Sequence, residues 1–198
     1  MLLYDSPVSG NCYKVRLLLA HLGIAFERRE MDVVDRANRK EVLGELNPAH
    51  RVPTLVLDDG RPLAESDAII FYLAEGTLYL PEDRYERAQV LQWLFFEQYQ
   101  HEPNIAVVRF WVRWAPDPPP ESEIVARRQA GYVTLDAMER HLTDREFFVA
   151  ERFTIADIAL YGYTHVAHEG GFDMSRYPAI AAWIARVAAQ PGHVPIDD

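Results

Sequence analysis

Residues 47–69 read Asn47-Pro48-Ala49-His50-Arg51-Val52-Pro53-Thr54-Leu55-Val56-Leu57-Asp58-Asp59-Gly60-Arg61-Pro62-Leu63-Ala64-Glu65-Ser66-Asp67-Ala68-Ile69, and this stretch decides the fold. Thr54 to Leu57 is an apolar run of strand type. Asp58-Asp59-Gly60 is a turn signal, with Asp-Gly a favoured hairpin pair. Arg61 to Ala64 returns as the partner strand. Ser66 to Glu75 follows as a helix, with Ser66 or Glu65 at its N-terminus. Working backwards, Asn47-Pro48 closes a weaker helix over Arg36 to Leu46, and Phe26 to Val33 is charged but strand-like. Asn11 to Leu22 carries Val15, Leu18, Leu19 and Leu22 at helical spacing, with Gly23 as a natural stop. Leu2-Leu3-Tyr4 is a short strand ending in Asp5-Ser6-Pro7. The order β-α-β-α-β-β-α makes residues 1–77 an α/β layer.

Forward of Leu80-Pro81 the strand signals stop. Tyr85 to Gln100 and Ile105 to Trp114 are helical and rich in aromatic residues: Trp93, Phe95, Phe96, Tyr99, Phe110, Trp111 and Trp114. Pro116 to Pro120 is a loop. Glu121 to Leu142 is a long helix. Thr154-Ile155-Ala156-Asp157 has the form of a capping box opening a helix to about Ala167. Pro178 to Ala189 is a final amphipathic helix, stopped by Pro191-Gly192. The expected division is 1–77, a linker 78–84, and an all-helical domain 85–198.

Composition narrows the class. Apolar residues make up 49%, which is enough to bury a core. The net charge is −10 over 198 residues, and an acidic excess repels a phosphate backbone, so nucleic acid is not an expected partner. One cysteine, Cys12, leaves no internal disulfide and no cysteine-based zinc site, and no metal is expected. No apolar run approaches about 20 residues and no leader pattern is present, so a cytoplasmic protein with no membrane span is expected.

Laid out this way, the chain resembles the cytosolic glutathione transferase family over nearly its whole length, closest in motif to theta- and Nu-type members. Three stretches carry the resemblance: Ser6-Pro7-Val8-Ser9-Gly10-Asn11-Cys12-Tyr13-Lys14-Val15, Asn47 to Leu55, and Leu63-Ala64-Glu65-Ser66-Asp67-Ala68-Ile69. Thr154 to Asp157 matches the family's helical-domain capping box. The implied fold is an α/β thioredoxin-like N-terminal domain (βαβαββα) followed by an all-α helical C-terminal domain.

The implied cosubstrate is glutathione, a flexible tripeptide with two carboxylates and an amine. Its site needs fixed donors and one extended backbone edge. By resemblance, Val52 and a cis Pro53 present that edge to the cysteinyl backbone, as in strand addition. Ser66, at a helix N-terminus, takes the γ-glutamyl carboxylate, and Glu65 pairs with the ammonium. Asn38 and Arg51 match residues that hold the glycine carboxylate, a group suited to the planar fork of arginine. His50 and Lys40 lie nearby.

Chemistry requires a thiolate, whereas a free thiol has a pKa near ~8.5. One hydrogen bond to sulfur beside a helix N-terminus lowers it by about one or two units. Three residues compete for that role. Ser9 matches the catalytic serine of theta-type members and the threonine of Nu-type ones. Asn11 matches an asparagine that Nu-type relatives place beside the sulfur. Cys12 falls two or three residues later than the cysteines of thiol-oxidoreductase members. The expected pair is Ser9 with Asn11 supporting. Tyr4 belongs to the strand and is expected to pack.

The resemblance places the second substrate against the helix ending near Trp114, with Tyr99, Arg109, Phe110 and Trp114 as lining residues. Gln92-Trp93-Leu94-Phe95-Phe96 followed by Pro103 resembles the corresponding helix of Nu-type members, which favour disulfide and peroxide reduction over conjugation. The implied protein is a homodimeric enzyme of detoxification or disulfide reduction acting on an electrophilic small molecule. The competing reading is a non-catalytic adaptor of the same fold, which tends to lose the catalytic position or the Glu-Ser pair.

Overall fold

In the computed structural model, which describes residues 1–198, the first unit comprises Met1–Glu75 together with Pro191–Asp198. The order is β1 (Leu2–Asp5), α1 (Gly10–Leu22), β2 (Glu27–Glu30), α2 (Arg39–Leu43), β3 (Thr54–Val56), β4 (Pro62–Ala64) and α3 (Ser66–Ala74). The four strands form one sheet in the order β2-β1-β3-β4. β1 and β2 are parallel because α1 crosses between them, whereas β3 runs antiparallel to both of its neighbours. The β3–β4 turn is the expected one. Gly60 sits at φ +86°, the Asp59 carboxylate accepts from the Arg61 amide, and Leu57 N–H donates to Arg61 C=O at 2.9 Å.

α1 ends where Gly23 adopts the left-handed conformation, its N–H returning to Ala20 C=O. From Cys12 to Leu19 every residue of α1 is buried, including Lys14 and Arg16. Such all-round burial means that α1 has neighbours on more than one face. α3 lies along one of them, and residues 191–198 lie along another. The sequence division counts those last residues with the helical domain; the structure groups them with the first unit.

Two elements are shorter than their sequence pattern. β2 covers four residues of the Phe26–Val33 run, all exposed on this charged edge strand. α2 begins at Arg39 rather than Arg36 because the preceding turn is held by aspartates. Asp32 Oδ1 accepts from the amides of Val34 and Asp35, and Asp35 Oδ1 accepts from Ala37. Such side-chain-to-backbone bonds compete with a helix start.

The second unit, Gly76–Gln190, is helical: α4 (Arg84–Phe96), α5 (Glu102–Arg113), α6 (Glu121–Leu142), α7 (Ile155–Thr164) and α8 (Pro178–Ala188). α4 and α5 do not break apart as the sequence suggests. A π-helical turn, Glu97–His101, carries one into the other. Pro103 accounts for it, because in α geometry its ring would meet the carbonyl four residues back, and widening the turn relieves that.

The core of this unit is aromatic. The Trp93 ring lies 4.6 Å from both His141 and Phe148, and Phe148 meets Trp183 edge-on at 5.2 Å. Asp157 is fully buried among them and accepts from Thr154 N–H at 2.9 Å, Thr154 Oγ1 at 3.2 Å, Phe148 N–H at 3.1 Å and Trp183 Nε1 at 2.9 Å. The capping box therefore also ties α7 to α8. No helix is long and apolar enough to cross a membrane.

Candidate functional site

The sheet register brings the three motif stretches together. Tyr4, Thr54 and Ala64 stand in one row across β1, β3 and β4. One or two residues beyond that row, the chain leaves β1 through Asp5-Ser6, enters β3 through Val52-Pro53, and leaves β4 into Glu65-Ser66. Loops separated by about sixty positions in sequence thus share one end of the sheet.

At the β1–α1 turn, Ser9 is the N-cap of α1, at φ −84° and ψ 119°, and its Oγ accepts from Cys12 N–H at 3.3 Å. Accepting that bond uses a lone pair and leaves the hydroxyl proton to donate. The hydroxyl is also within hydrogen-bonding reach of the Cys12 sulfur. Asn11, half-buried, accepts from Ser66 Oγ at 3.4 Å, which couples the N-terminus of α1 to that of α3. Cys12 is fully buried, and burial pushes its thiol up to about 12, which opposes thiolate formation at neutral pH. Tyr4 is buried with Met31 and Leu43, as expected of a core strand residue.

Ser66 is buried as the first residue of α3, and Glu65 before it sits at φ +67° and ψ 117°. A non-glycine residue held there stores about 1–3 kcal/mol of strain, a pattern concentrated at ligand sites. Behind Ser66 lies a residue to which the sequence reading gives no role. The Lys14 ammonium is fully buried, 3.4 Å from Ser66 Oγ and 3.1 Å from Asp67 Oδ1. The sequence alone gives no signal for it, since Lys14 and Arg16 together read as the polar side of α1.

The Val52–Pro53 bond is cis, with Pro53 buried and Val52 half-buried. A second unassigned residue holds this loop: Asn47 Nδ2 donates to Arg51 C=O at 2.9 Å and to Thr54 Oγ1 at 3.0 Å, and its Oδ1 accepts from Ala49 N–H. With Arg51 C=O occupied by Asn47 and Thr54, the backbone at Val52 is fixed as a rigid edge. The Arg51 side chain is exposed. Asn38 is exposed at the start of α2 and makes no capping bond with its side chain. Buried Arg39, next to Asn38, donates to Asp32 C=O at 2.7 Å, and burial lowers its pKa, with Arg36 and Arg51 adding charge repulsion.

In the helical unit, Arg109 and Trp114 meet, with the guanidinium 4.5 Å over the indole. Arg109 is 4% exposed, and its Nε donates to Glu169 at 2.8 Å. Arg113, half-exposed, lies 5.6 Å from the same indole. Phe110 is half-buried. Tyr99 stands in the π-helical turn at 83% exposure, about four helical turns before Trp114. No cluster of side chains able to hold a metal ion is present.

The chain matches the family model of the glutathione S-transferase N-terminal domain over residues 3–76 and that of the C-terminal domain over residues 93–191. It is 47% identical to a glutathione S-transferase of Pseudomonas fluorescens whose crystal structure is known, covering 100% of this chain and 98% of that one, with a TM-score of 0.95. It is 32% identical to the glutathione S-transferase-like protein LUC7 of Fusarium, over 93% of this chain and 86% of that protein. It is 28% identical to the disulfide-bond oxidoreductase YfcG of Escherichia coli, over 96% and 90% respectively. With a thioredoxin-like βαβαββα layer, a helical unit, and matches spanning both, the chain belongs to the glutathione S-transferase family.

Proposed function

We propose that this transferase binds glutathione across the shared sheet end and activates its thiol with the Ser9 hydroxyl, Asn11 supporting. The observation that carries the reading is the convergence of the α1 and α3 N-termini, joined by the Ser66–Asn11 bond, beside the cis Val52–Pro53 edge. Two helix N-termini favour anions, here the γ-glutamyl carboxylate at Ser66 and the developing thiolate at Ser9. Val52 pairs with the cysteinyl backbone, Pro53 fixes its presentation, Glu65 takes the ammonium, and Asn38 and Arg51 take the glycyl carboxylate. The thiolate then attacks an electrophilic carbon, a disulfide sulfur or a peroxide oxygen, with Tyr99, Arg109, Phe110 and Trp114 serving the second substrate. Because the cosubstrate is the nucleophile, the enzyme contributes positioning and a lowered thiol pKa.

The site of action is proposed to be the cytoplasm and the assembly a homodimer. Tyr72, Tyr85 and Phe95 support the latter as exposed apolar side chains of α3 and α4.

Ultraviolet difference absorbance of bound glutathione against pH tests the activation. Wild type should show a thiolate band at least one unit below the free thiol, near ~8.5, and Ser9→Ala should move it up by about a unit. A band that does not move sinks Ser9 and leaves Asn11. Binding with no band and no turnover supports the non-catalytic adaptor.

A further inference from the structure

The chain does not stop at α8. Residues 191–198 run back along α1 and are held at four points. His21 Nδ1 meets Pro191 C=O at 2.9 Å, and the buried Tyr13 hydroxyl donates to Val194 C=O at 2.7 Å with His193 Nε2 at 3.2 Å. Arg16 donates to Ile196 C=O, and Arg28 donates to Asp198 C=O at 2.7 Å. Both of these arginines also hold the fully buried Asp5 carboxylate, Arg16 at 2.7 Å and Arg28 at 2.8 Å. The second set of bonds from Arg16 is the informative one. Its guanidinium donates to Ser6 C=O at 3.2 Å and Pro7 C=O at 3.3 Å, and Ser6 C=O is also the acceptor for Ser9 N–H at 3.1 Å.

We infer that residues 191–198 are a strap that fixes the thiol-activating turn, with Arg16 as the positioning residue between the Ile196 carbonyl and the Ser6–Ser9 backbone. This rests on the proposed role of Ser9. A planar guanidinium can serve Asp5, two loop carbonyls and the strap at once only if its plane is held, and the Ile196 carbonyl holds it at Nη2, the nitrogen that also donates to Pro7 C=O. With the strap in place, the Ser9 hydroxyl stays within the narrow range of positions that catalysis by hydrogen bonding requires. Remove it, and Arg16 keeps Asp5 while losing the restraint that orients its other donors. The sulfur then meets a wandering hydroxyl, and thiolate formation weakens while glutathione binding through Val52 and Ser66 persists.

The test compares wild type with a chain ending at Pro195, which loses the Ile196 and Asp198 bonds but retains every Asp5 ion pair. A second variant, full-length Tyr13→Phe, loses the Tyr13–Val194 bond without opening a cavity. Hydrogen exchange is followed at the Ser9 amide, and the thiolate of bound glutathione is titrated by ultraviolet absorbance. Both variants should exchange the Ser9 amide about tenfold faster, the order expected when one such hydrogen bond is lost. Their glutathione thiol pKa should rise while the dissociation constant for glutathione changes less than about threefold, a split that a merely structural strap would not give. Unchanged exchange and an unchanged thiolate titration in the chain ending at Pro195 overturn the inference. A wild type that binds glutathione but forms no thiolate overturns the Ser9 reading, and with it the catalytic purpose of the strap. If Tyr13→Phe does not fold, the Pro195 chain decides alone.

Discussion

Replacing Lys14 with methionine keeps the length and apolar stem of the side chain and deletes one buried charge. The ammonium is inaccessible and 3.1 Å from Asp67, whose side chain is 10% exposed. Removing one partner of a buried ion pair costs about 3–5 kcal/mol, because the other is left charged and uncompensated. Two features lower that figure here. Asp67 retains a little water, and it stands in the first turn of α3, where the helix dipole favours a carboxylate by about 0.5 kcal/mol. The expected loss for Lys14→Met is therefore about 3 kcal/mol, read by urea denaturation with an unchanged slope. Adding Asp67→Asn should restore at least about 1 kcal/mol, since the double variant no longer buries an unpaired charge. Glutathione affinity should fall about tenfold in the single variant, because the Ser66 hydroxyl loses its cationic neighbour where the γ-glutamyl carboxylate is proposed to bind. A single variant within about 0.5 kcal/mol of wild type refutes the argument, as does a double variant whose loss is the sum of the two.

Other consequences are open to direct measurement. Cys12→Ala should leave glutathione-dependent turnover intact and cost about 1–2 kcal/mol of stability. In wild type the thiol should resist iodoacetamide at pH 8, since it is fully buried and burial disfavours its thiolate. Rapid alkylation of the folded protein would contradict its burial. Asp157→Asn turns one oxygen facing two donors into an N–H₂ group, so it should destabilise by about 2–4 kcal/mol at neutral pH. Burial raises the Asp157 carboxyl from 3.8 to about 6. A raised carboxyl gives stability that is fully present below its unfolded pKa and lost as pH rises through the folded one. Wild type therefore gains from protonation on acidification and the asparagine variant does not, so the deficit should widen by about 1 kcal/mol from pH 7 to pH 5. A deficit that narrows instead refutes the direction of the shift.

What the sequence made legible was whatever is local. Gly23, Asp59-Gly60 and Thr154–Asp157 each specify a stop, a turn or a cap within four residues, and each is found in place. The order of the seven elements of the first unit follows from them and from short apolar runs. The parts that could not be read depend on partners far away in sequence. Lys14 and Arg16 look like the polar side of a helix until Asp67, Asp5 and the Ile196 carbonyl are brought to them. Long charged side chains are almost never fully buried unless paired, so their burial is a tertiary fact. Arg109 is similar, because its partner Glu169 lies sixty residues on. The late start of α2 within the Arg36–Leu46 pattern is a competition between two aspartate turns and a helix, and propensity alone does not say which wins.

The π-helical turn at Glu97–His101 has a bearing on how α4 and α5 are read along their common axis. The π turn holds one residue more than an α turn, so the sequence phase of everything after it shifts by about 100° while its azimuth on the axis is kept. The sequence phase of the apolar stripe therefore changes midway. Val90, Trp93 and Leu94 fit one helical register and Ile105, Ala106, Val108 and Arg109 another, and the extra residue brings both sets to one side of the axis. α4 packs against α7 in this way, and α5 against both α6 and α7. Deleting one residue between Glu97 and His101 would return the turn to α geometry and leave Ile105 and Val108 at the azimuth they have, but it would press the Pro103 ring against the carbonyl four residues back. A change of length there therefore carries a backbone cost that the Pro116–Pro120 loop does not.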